Sequence, residues 1–264
     1  MYDVASDMLT KGKYDEVIAR MRRALVNSPT DIDYLKLLGT AQFNKKYYGE
    51  AIKTFEQVLK IDEEEDQAVY YIAASYEALR DFGKAIQYYQ QYNELTLFGE
   101  YRDLVDARIK VLYRQQMQIE AQKAIRQEAQ LDVARYPTNT IAVLYFENRG
   151  SKRELDPLQK GLAEMLITDL SKVQSLKVVE RIRLQKLVEE LNFSETNLVD
   201  PRTAPRVGRL VGAYRIVKGT FFDMAGEKMR IDALVAKSKS GELDGTSNIS
   251  GEVRNFFTLE KELV

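Results

Sequence analysis

Two hydrophobic textures divide the chain. Up to about residue 136 apolar residues recur three or four positions apart, the spacing of one helical face; from Thr140 onward short continuous apolar runs alternate with helical stripes. In the first part three stretches align: KGKYDEVIARMRRALVNSP, KKYYGEAIKTFEQVLKIDE and LRDFGKAIQYYQQYNEL. Val17, Ala51 and Ala85 fall 34 residues apart, as do Met21, Phe55 and Tyr89, and Ala5, Gly39 and Ala73 keep the same interval further upstream. Small residues such as Gly39 and Ala51 let the two helices of one repeat approach closely. Met21, Phe55 and Tyr89 are large enough to fill the gap to the next repeat. Pro29 follows the second helix of the first repeat, where it ends a helix without breaking one; Glu63 and Leu97 occupy that position in the later repeats.

This pattern resembles the tetratricopeptide (TPR) repeat, whose period is 34 residues. It predicts three repeats over residues 1–97 and then a capping helix with a helical linker over 98–136. Within GEYRDLVDARIKVLYRQQMQIEAQKAIRQEAQL, positions Leu104, Arg108, Val111 and Leu112 start the expected stripe. After Tyr113 the composition becomes Gln-rich and thinly apolar, as in an exposed linker, and Tyr136-Pro137-Thr138-Asn139 breaks the helix. The resemblance implies a concave face built from first helices, including Lys36, Thr40, Phe43, Asn44, Tyr70, Ala74 and Glu77. These residues read either as a peptide groove with aromatic contacts or as exposed positions of a scaffold. Repeats that clamp a C-terminal carboxylate carry Lys and Asn at fixed first-helix positions. Lys36 matches here but Tyr2, Ser6, Tyr70 and Ala74 do not, so carboxylate clamping is not expected.

The second part opens on Ile141-Ala142-Val143-Leu144-Tyr145-Phe146, a run suited to a strand buried on both faces. Asp156-Pro157 offers a helix cap with proline at the first helical position. Leu158, Leu162, Met165, Leu166, Leu170 and Val173 then share one stripe. A short strand, Leu176–Glu180, precedes another helix with Leu184, Leu187, Val188 and Leu191 on one face. Strand, helix and strand in that order imply a parallel pair with a right-handed crossover. A helix around 206–211 ends at Gly212, and three strands follow over Tyr214–Phe222, Lys228–Lys237 and Leu243–Ser250, with turns at Ala225-Gly226-Glu227 and Ser240-Gly241-Glu242. The expected architecture is therefore multidomain: an all-α TPR superhelix, then over 137–264 an α/β domain with a mixed sheet and helices mainly on one face.

The series IAVLYFEN, GLAEMLITDLSKVQSLKVVER, VGRLVGAYRIVKGTF and MRIDALVAKSKSGEL resembles the CsgG family, named for the curli secretion channel, and the N-terminal domain of TolB-like proteins. Ser240-Gly241 stands where that family usually has Thr-Gly. Pore-forming members insert amphipathic hairpins with segments of roughly ten alternating residues. No such segment interrupts residues 140–253, so the resemblance implies a soluble module with a tendency to form homo-oligomers, not the channel itself.

Composition narrows the chemistry. The 264 residues are 45% hydrophobic and 30% charged with a formal net charge of −1, a globular composition without the basic excess of a nucleic-acid binder. The absence of both Cys and His excludes imidazole and thiolate metal sites, cysteine nucleophiles and Ser-His-Asp triads. No cofactor, metal or catalytic residue is predicted, and no apolar run reaches the roughly 18 residues of a membrane span. Gly208-Arg209-Leu210-Val211-Gly212 lacks the spacing of a phosphate loop; Gly212 reads as a helix end and Gly219 as a bulge. The acidic run 62–66 lacks the ligand pattern of a calcium loop and suits the start of a helix. Glu164 and Asp169 have no partner of recognisable spacing. Glu180 and Arg181, at the carboxyl end of a parallel strand, are candidate ligand contacts or simply a charged strand exit.

The expected function is a non-enzymatic protein-interaction scaffold in bacterial envelope assembly or secretion, located in the periplasm or envelope. A protein or peptide would bind the TPR groove, and homo-oligomers would form through the CsgG-like domain. The alternative is a cytoplasmic ligand-sensing module of a larger signalling protein. It follows from the lack of a signal-like N-terminus and from the stretch 255–264, which begins an amphipathic helix and reads as cut short.

Overall fold

The structure, a computed structural model, describes residues 2–96, 101–193 and 203–263. Contacts divide the chain into two units, Met1–Gln116 and Met117–Val264. This division falls inside a helix, whereas the sequence places domain limits after residues 97 and 136. Leu97, the third residue at the proline position, lies outside the described residues.

The first unit stacks three helical hairpins: α1 (Tyr2–Thr10) with α2 (Tyr14–Asn27), α3 (Ile32–Asn44) with α4 (Tyr48–Leu59), and α5 (Asp66–Ala78) with α6 (Phe82–Leu95). The 34-residue period survives atom by atom in their turns. Gly12, Lys46 and Arg80 all take a left-handed conformation, with φ of 73°, 64° and 63°. The next residue's N–H reaches back five positions each time, from Lys13 to Met8 O, Tyr47 to Gln42 O and Asp81 to Tyr76 O, at 2.9 Å in all three. This is the Schellman ending of an α-helix, which satisfies carbonyls that would otherwise lack partners. Packing follows the same period: Ala5, Val17, Ala51, Ala73 and Ala85 are wholly buried. A Cβ on Gly39 would lie 2.7 Å from the Phe55 ring, so glycine admits that ring within its own hairpin. Phe55 then stacks on Tyr71 of the next hairpin, with centroids 5.1 Å apart and planes 3° from parallel.

Helix α7 (Arg102–Arg126) follows. Its buried residues are Val105, Leu112, Met117 and Ala121, while Leu104 and Val111, placed on the stripe by sequence, are about half exposed. Arg102 Nη1 donates to Asn93 O (2.8 Å) and Thr96 O (2.7 Å), closing the carbonyl end of α6. The Gln-rich continuation is not the bare linker expected. Ala121 joins the core of the second unit, and Gln118 and Gln122 donate to the carboxylate of Glu190 at 2.9 and 3.1 Å.

The second unit is a five-stranded mixed sheet in the order β2-β1-β3-β4-β5, from β1 (Thr140–Asn148), β2 (Lys177–Val178), β3 (Arg215–Met224), β4 (Lys228–Lys237) and β5 (Leu243–Glu252). The parallel neighbours of β1 are β2 and β3; β3, β4 and β5 form an antiparallel meander. Helices α8 (Leu158–Leu170), α9 (Arg181–Leu191), α10 (Ala204–Leu210) and α11 (Phe256–Leu263) accompany the sheet. Strand β1 is buried from Ile141 to Phe146, as its unbroken apolar run requires. Strand β2 is only two residues long, shorter than the five expected. Helix α8 starts at Leu158 with Pro157, not Asp156, at the cap position, so no side chain caps it; Asp156, one residue further out, accepts from Asn148 Nδ2 at 2.7 Å. Val173 lies beyond the end of α8 and is exposed.

The extra residue in the β1–β3 pairing lies on β1, between Val143 and Phe146, not at Gly219. Gly219 has another task. A Cβ there would meet Phe146 Cε1 at 2.2 Å and Asp232 O at 2.4 Å, so only glycine fits beneath that ring. Gly212, at φ 77°, ends α10 with Ala213 N bonded to Gly208 O at 2.9 Å.

Candidate functional site

Helices α3 and α5, the first helices of the second and third hairpins, carry Phe43, Tyr70 and Tyr71, which are partly buried at the edge of the helical core. Phe43, near the end of α3, meets Tyr71 of α5 edge-on at 5.2 Å. Tyr70 is the hub of the aromatic group. Its ring lies 5.6 Å from Tyr71, 5.8 Å from Tyr92, 6.0 Å from Tyr89 and 5.1 Å from Tyr101, the last in a stacked arrangement. The preferred geometries of aromatic pairs, edge-to-face and offset-stacked, account for this set. Tyr101 is held by its neighbour Arg102, which is fixed on the end of α6.

Two adjacent cavities open on this surface. One, of about 450 Å³, is lined by Phe43, Asp66, Gln67, Tyr70, Tyr71, Tyr92 and Tyr101. The other, of about 340 Å³, is lined by Phe43, Tyr70, Ala74, Glu77, Tyr89, Leu104 and Arg108 among others. Phe43 and Tyr70 therefore border both. Both volumes fall in the range of natural ligand pockets, ~300–1,000 Å³.

The polar groups differ between the two. In the smaller cavity Arg108 grips Glu77 with two of its nitrogens, Nε to Oε2 at 2.8 Å and Nη2 to Oε1 at 2.5 Å. Tyr89 Oη adds a hydrogen bond to Glu77 Oε2 at 3.0 Å. The hydrogen bond from Arg108 to Glu77 raises the Arg108 pKa, and burial followed by the nearby Glu77 charge pushes the Tyr89 phenol well up. Burial likewise raises Tyr70 and Tyr71, so these phenols are neutral at physiological pH. The smaller cavity is thus charge-balanced. In the larger one Asp66 has no partner among the described residues, and no Lys or Arg lines the space.

Of the seven groove residues read from sequence, Phe43, Tyr70, Ala74 and Glu77 meet at these cavities. The other three serve the scaffold. Thr40 is buried and hydrogen-bonds the Tyr71 hydroxyl. Asn44 Nδ2 donates to Thr40 O of its own helix at 2.9 Å. Lys36 pairs with Glu65 at 2.9 Å. Sequence reading did not include Tyr71, Tyr92, Tyr101, Asp66 or Gln67. The neighbouring Tyr70-Tyr71 pair and the three-residue step from Tyr89 to Tyr92 were the available signals.

Elsewhere, Arg181 forms an ion pair with Glu164 across the α8–α9 layer, and Glu180 is the residue that precedes α9. Asp169 pairs with Lys172 one turn along. Glu164 and Asp169, read as partnerless from sequence, are thus both engaged. Among the described residues, no helix is long and apolar enough to cross a membrane.

Residues 114–227 match the profile of the family described as curli production assembly/transport component CsgG. No curated protein matches the chain. Solved structures similar to it include SycD, the type III secretion translocator chaperone of Yersinia enterocolitica, at 18% identity over 44% of this chain and 82% of that one, with a TM-score of 0.41. The first TPR domain of human RPAP3 is similar at 18% identity over 42% and 88%, with a TM-score of 0.40. The LpoB C-terminal domain from Salmonella enterica is similar at 17% identity over 52% and 95%, with a TM-score of 0.37. Such likenesses are too slight to carry a functional argument. The chain thus consists of a TPR-like helical unit followed by an α/β unit, and the stretch that matches the CsgG profile, residues 114–227, lies almost wholly in the second.

Proposed function

We propose that this protein is a non-enzymatic adaptor of the bacterial cell envelope. Its helical unit binds a segment of a partner protein across Phe43 and Tyr70, and its CsgG-type unit provides a second contact or a self-association surface for assembly or secretion. The observation that carries the reading is the pair of adjoining aromatic cavities sharing Phe43 and Tyr70. Aromatic side chains, tyrosine above all, are enriched at protein recognition surfaces and at their energetic hot spots. The CsgG-family match over 114–227 supports the envelope setting.

The test is a peptide-display selection against the full chain, with binders re-measured on Phe43→Ala and Tyr70→Ala variants of unchanged circular dichroism. Binding should weaken at least tenfold in both. Binders indifferent to both substitutions would remove the groove from the proposal. Light scattering at high concentration addresses self-association, and a strict monomer would remove that part.

A further inference from the structure

The larger cavity suggests what kind of side chain it holds. Its lining is unusual for an apolar anchor pocket: five aromatic rings, one glutamine and one aspartate, with no aliphatic side chain among the described residues. Ring faces carry the negative end of the aromatic quadrupole and attract cations within about 6 Å of the centroid. The rings touch one another around the Tyr70 hub, with centroids 5.1 to 5.8 Å apart, so they form one continuous aromatic wall and a slender group in the cavity meets more than one of them.

Charge points the same way. Glu77, the carboxylate of the adjoining cavity, is neutralised by Arg108. Asp66 is half-buried and has no counter-ion among the described residues, which leaves one negative charge uncompensated beside the rings. The approach to α5 adds Asp62, Glu63 and Glu64, all exposed. An anionic or carboxylate-terminated ligand would face both the rings and these charges. A purely apolar one would leave Asp66 desolvated without a partner, which costs free energy.

From this, and resting on the groove reading above, we infer that the cavity lined by Phe43, Tyr70, Tyr71, Tyr92, Tyr101 and Asp66 is an aromatic cage for a Lys or Arg side chain of the partner segment. The apolar stem packs along the aromatic wall of the cavity and the cationic head meets Asp66. The competing role for Asp66 is local: it sits in the first turn of α5, where a carboxylate favours the helix dipole. The two roles predict different results.

The probes are N-acetyl-lysine methylamide, N-acetyl-norleucine methylamide, which keeps the four-carbon stem and lacks the ammonium group, and N-acetyl-glutamate methylamide, titrated into the full chain with ring-labelled tyrosine observed by NMR. The lysine probe should shift the Tyr70, Tyr92 and Tyr101 resonances with at least tenfold greater affinity than the norleucine probe. Asp66→Asn should abolish that preference while leaving norleucine binding unchanged, and added salt should weaken the lysine probe alone. Equal or tighter norleucine or glutamate binding, or a preference that survives Asp66→Asn, overturns the cage. A dipole role alone would lower the thermal midpoint of Asp66→Asn without touching selectivity. Selected peptides supply the second arm. If they depend on Tyr70 but tolerate lysine-to-norleucine replacement, the cage falls and the groove stands. If no Tyr70-dependent peptide is found, the groove reading falls and takes the cage with it.

Discussion

Glu260 offers the sharpest test of the second unit's energetics. It lies on α11, has no exposed surface, and neither carboxylate oxygen has a hydrogen-bond partner. Burial raises its pKa, and nearby Asp169 raises it further against the opposing pull of Lys261 and Lys172. Its neighbours Phe256 and Leu259 belong to the core, so the carboxyl is carried inside by the helix that buries them. An unsatisfied buried polar group costs about 1–3 kcal/mol. Glu260→Met keeps the side-chain length and removes both oxygens. We expect a gain of about 1–2 kcal/mol at pH 7, or roughly 3–6 °C in the midpoint of a unit of this size.

The pH dependence fixes the sign. The folded state holds the Glu260 proton more tightly than the unfolded chain, so its contribution is fully present below the unfolded value, near 4.3, and is lost as pH rises through the raised folded value. The advantage of Glu260→Met should therefore be smaller at pH 4 than at pH 8. Glu260→Gln cannot ionise but stays polar, so it should remove the pH slope while recovering little of the burial cost. Urea unfolding followed by far-ultraviolet circular dichroism at both pH values measures all three proteins. A Met variant less stable than the parent, or a pH-independent advantage, would refute the reasoning.

Three further outcomes follow from the geometry. Lys46→Gly and Arg80→Gly relieve a left-handed backbone that costs an L-residue about 1–2 kcal/mol, partly offset by the entropy of glycine, so each should stabilise the helical unit by up to about 1 kcal/mol in thermal melts. Gly219→Ala should destabilise the α/β unit by more than about 2 kcal/mol in urea titrations, and Phe146→Leu should rescue it only in part, because the Asp232 carbonyl cannot move aside like a side chain. Arg206 grips Glu128 with two nitrogens at 2.8 and 2.7 Å, but both side chains are about one-third exposed, so Arg206→Ala should cost no more than about 1 kcal/mol. The hydrogen bond from Arg206 lowers the Glu128 pKa. The difference should therefore be present above the unfolded carboxylate value and fade in acid unfolding series as pH falls through the lowered folded value.

The helical hairpins were legible because each obeys a local rule. The 34-residue interval that places Ala51 against its partner helix also places Lys46 in the turn. The meander was legible for a similar reason, since Gly226 and Gly241 mark its turns at φ 74°. What escaped the sequence is what depends on approach from a distance. The two-residue β2 depends on how much of 176–180 can reach β1. The buried side of α7 differs from the expected stripe by one position, Val105 instead of Leu104, because the end of α6 and the Arg102 contacts set the helix's rotation. The groove was half visible. First-helix periodicity gave Phe43, Tyr70, Ala74 and Glu77, but Tyr92 comes from a second helix and Tyr101 from the turn just before α7, which no repeat position predicts. Arg108 was noted only as part of a stripe, and its grip on Glu77 appears only once α7 is in place.

The sheet order has a kinetic consequence. Strands β3, β4 and β5 are joined by tight turns and pair with their chain neighbours, so they can form at little loop-closure cost. Strand β1 must find β3 across the intervening α8, β2, α9 and α10, with Ile141 opposite Arg215. We expect the meander to assemble first and the docking of β1 to limit the rate. Substitutions at the Phe146–Gly219 contact should then slow refolding as well as speed unfolding, while substitutions at the β4–β5 turn change stability with a different split between the two rates. Stopped-flow refolding of Phe146→Leu beside Gly241→Ala would separate these cases. Equal effects on the folding limb would place the two events in one step.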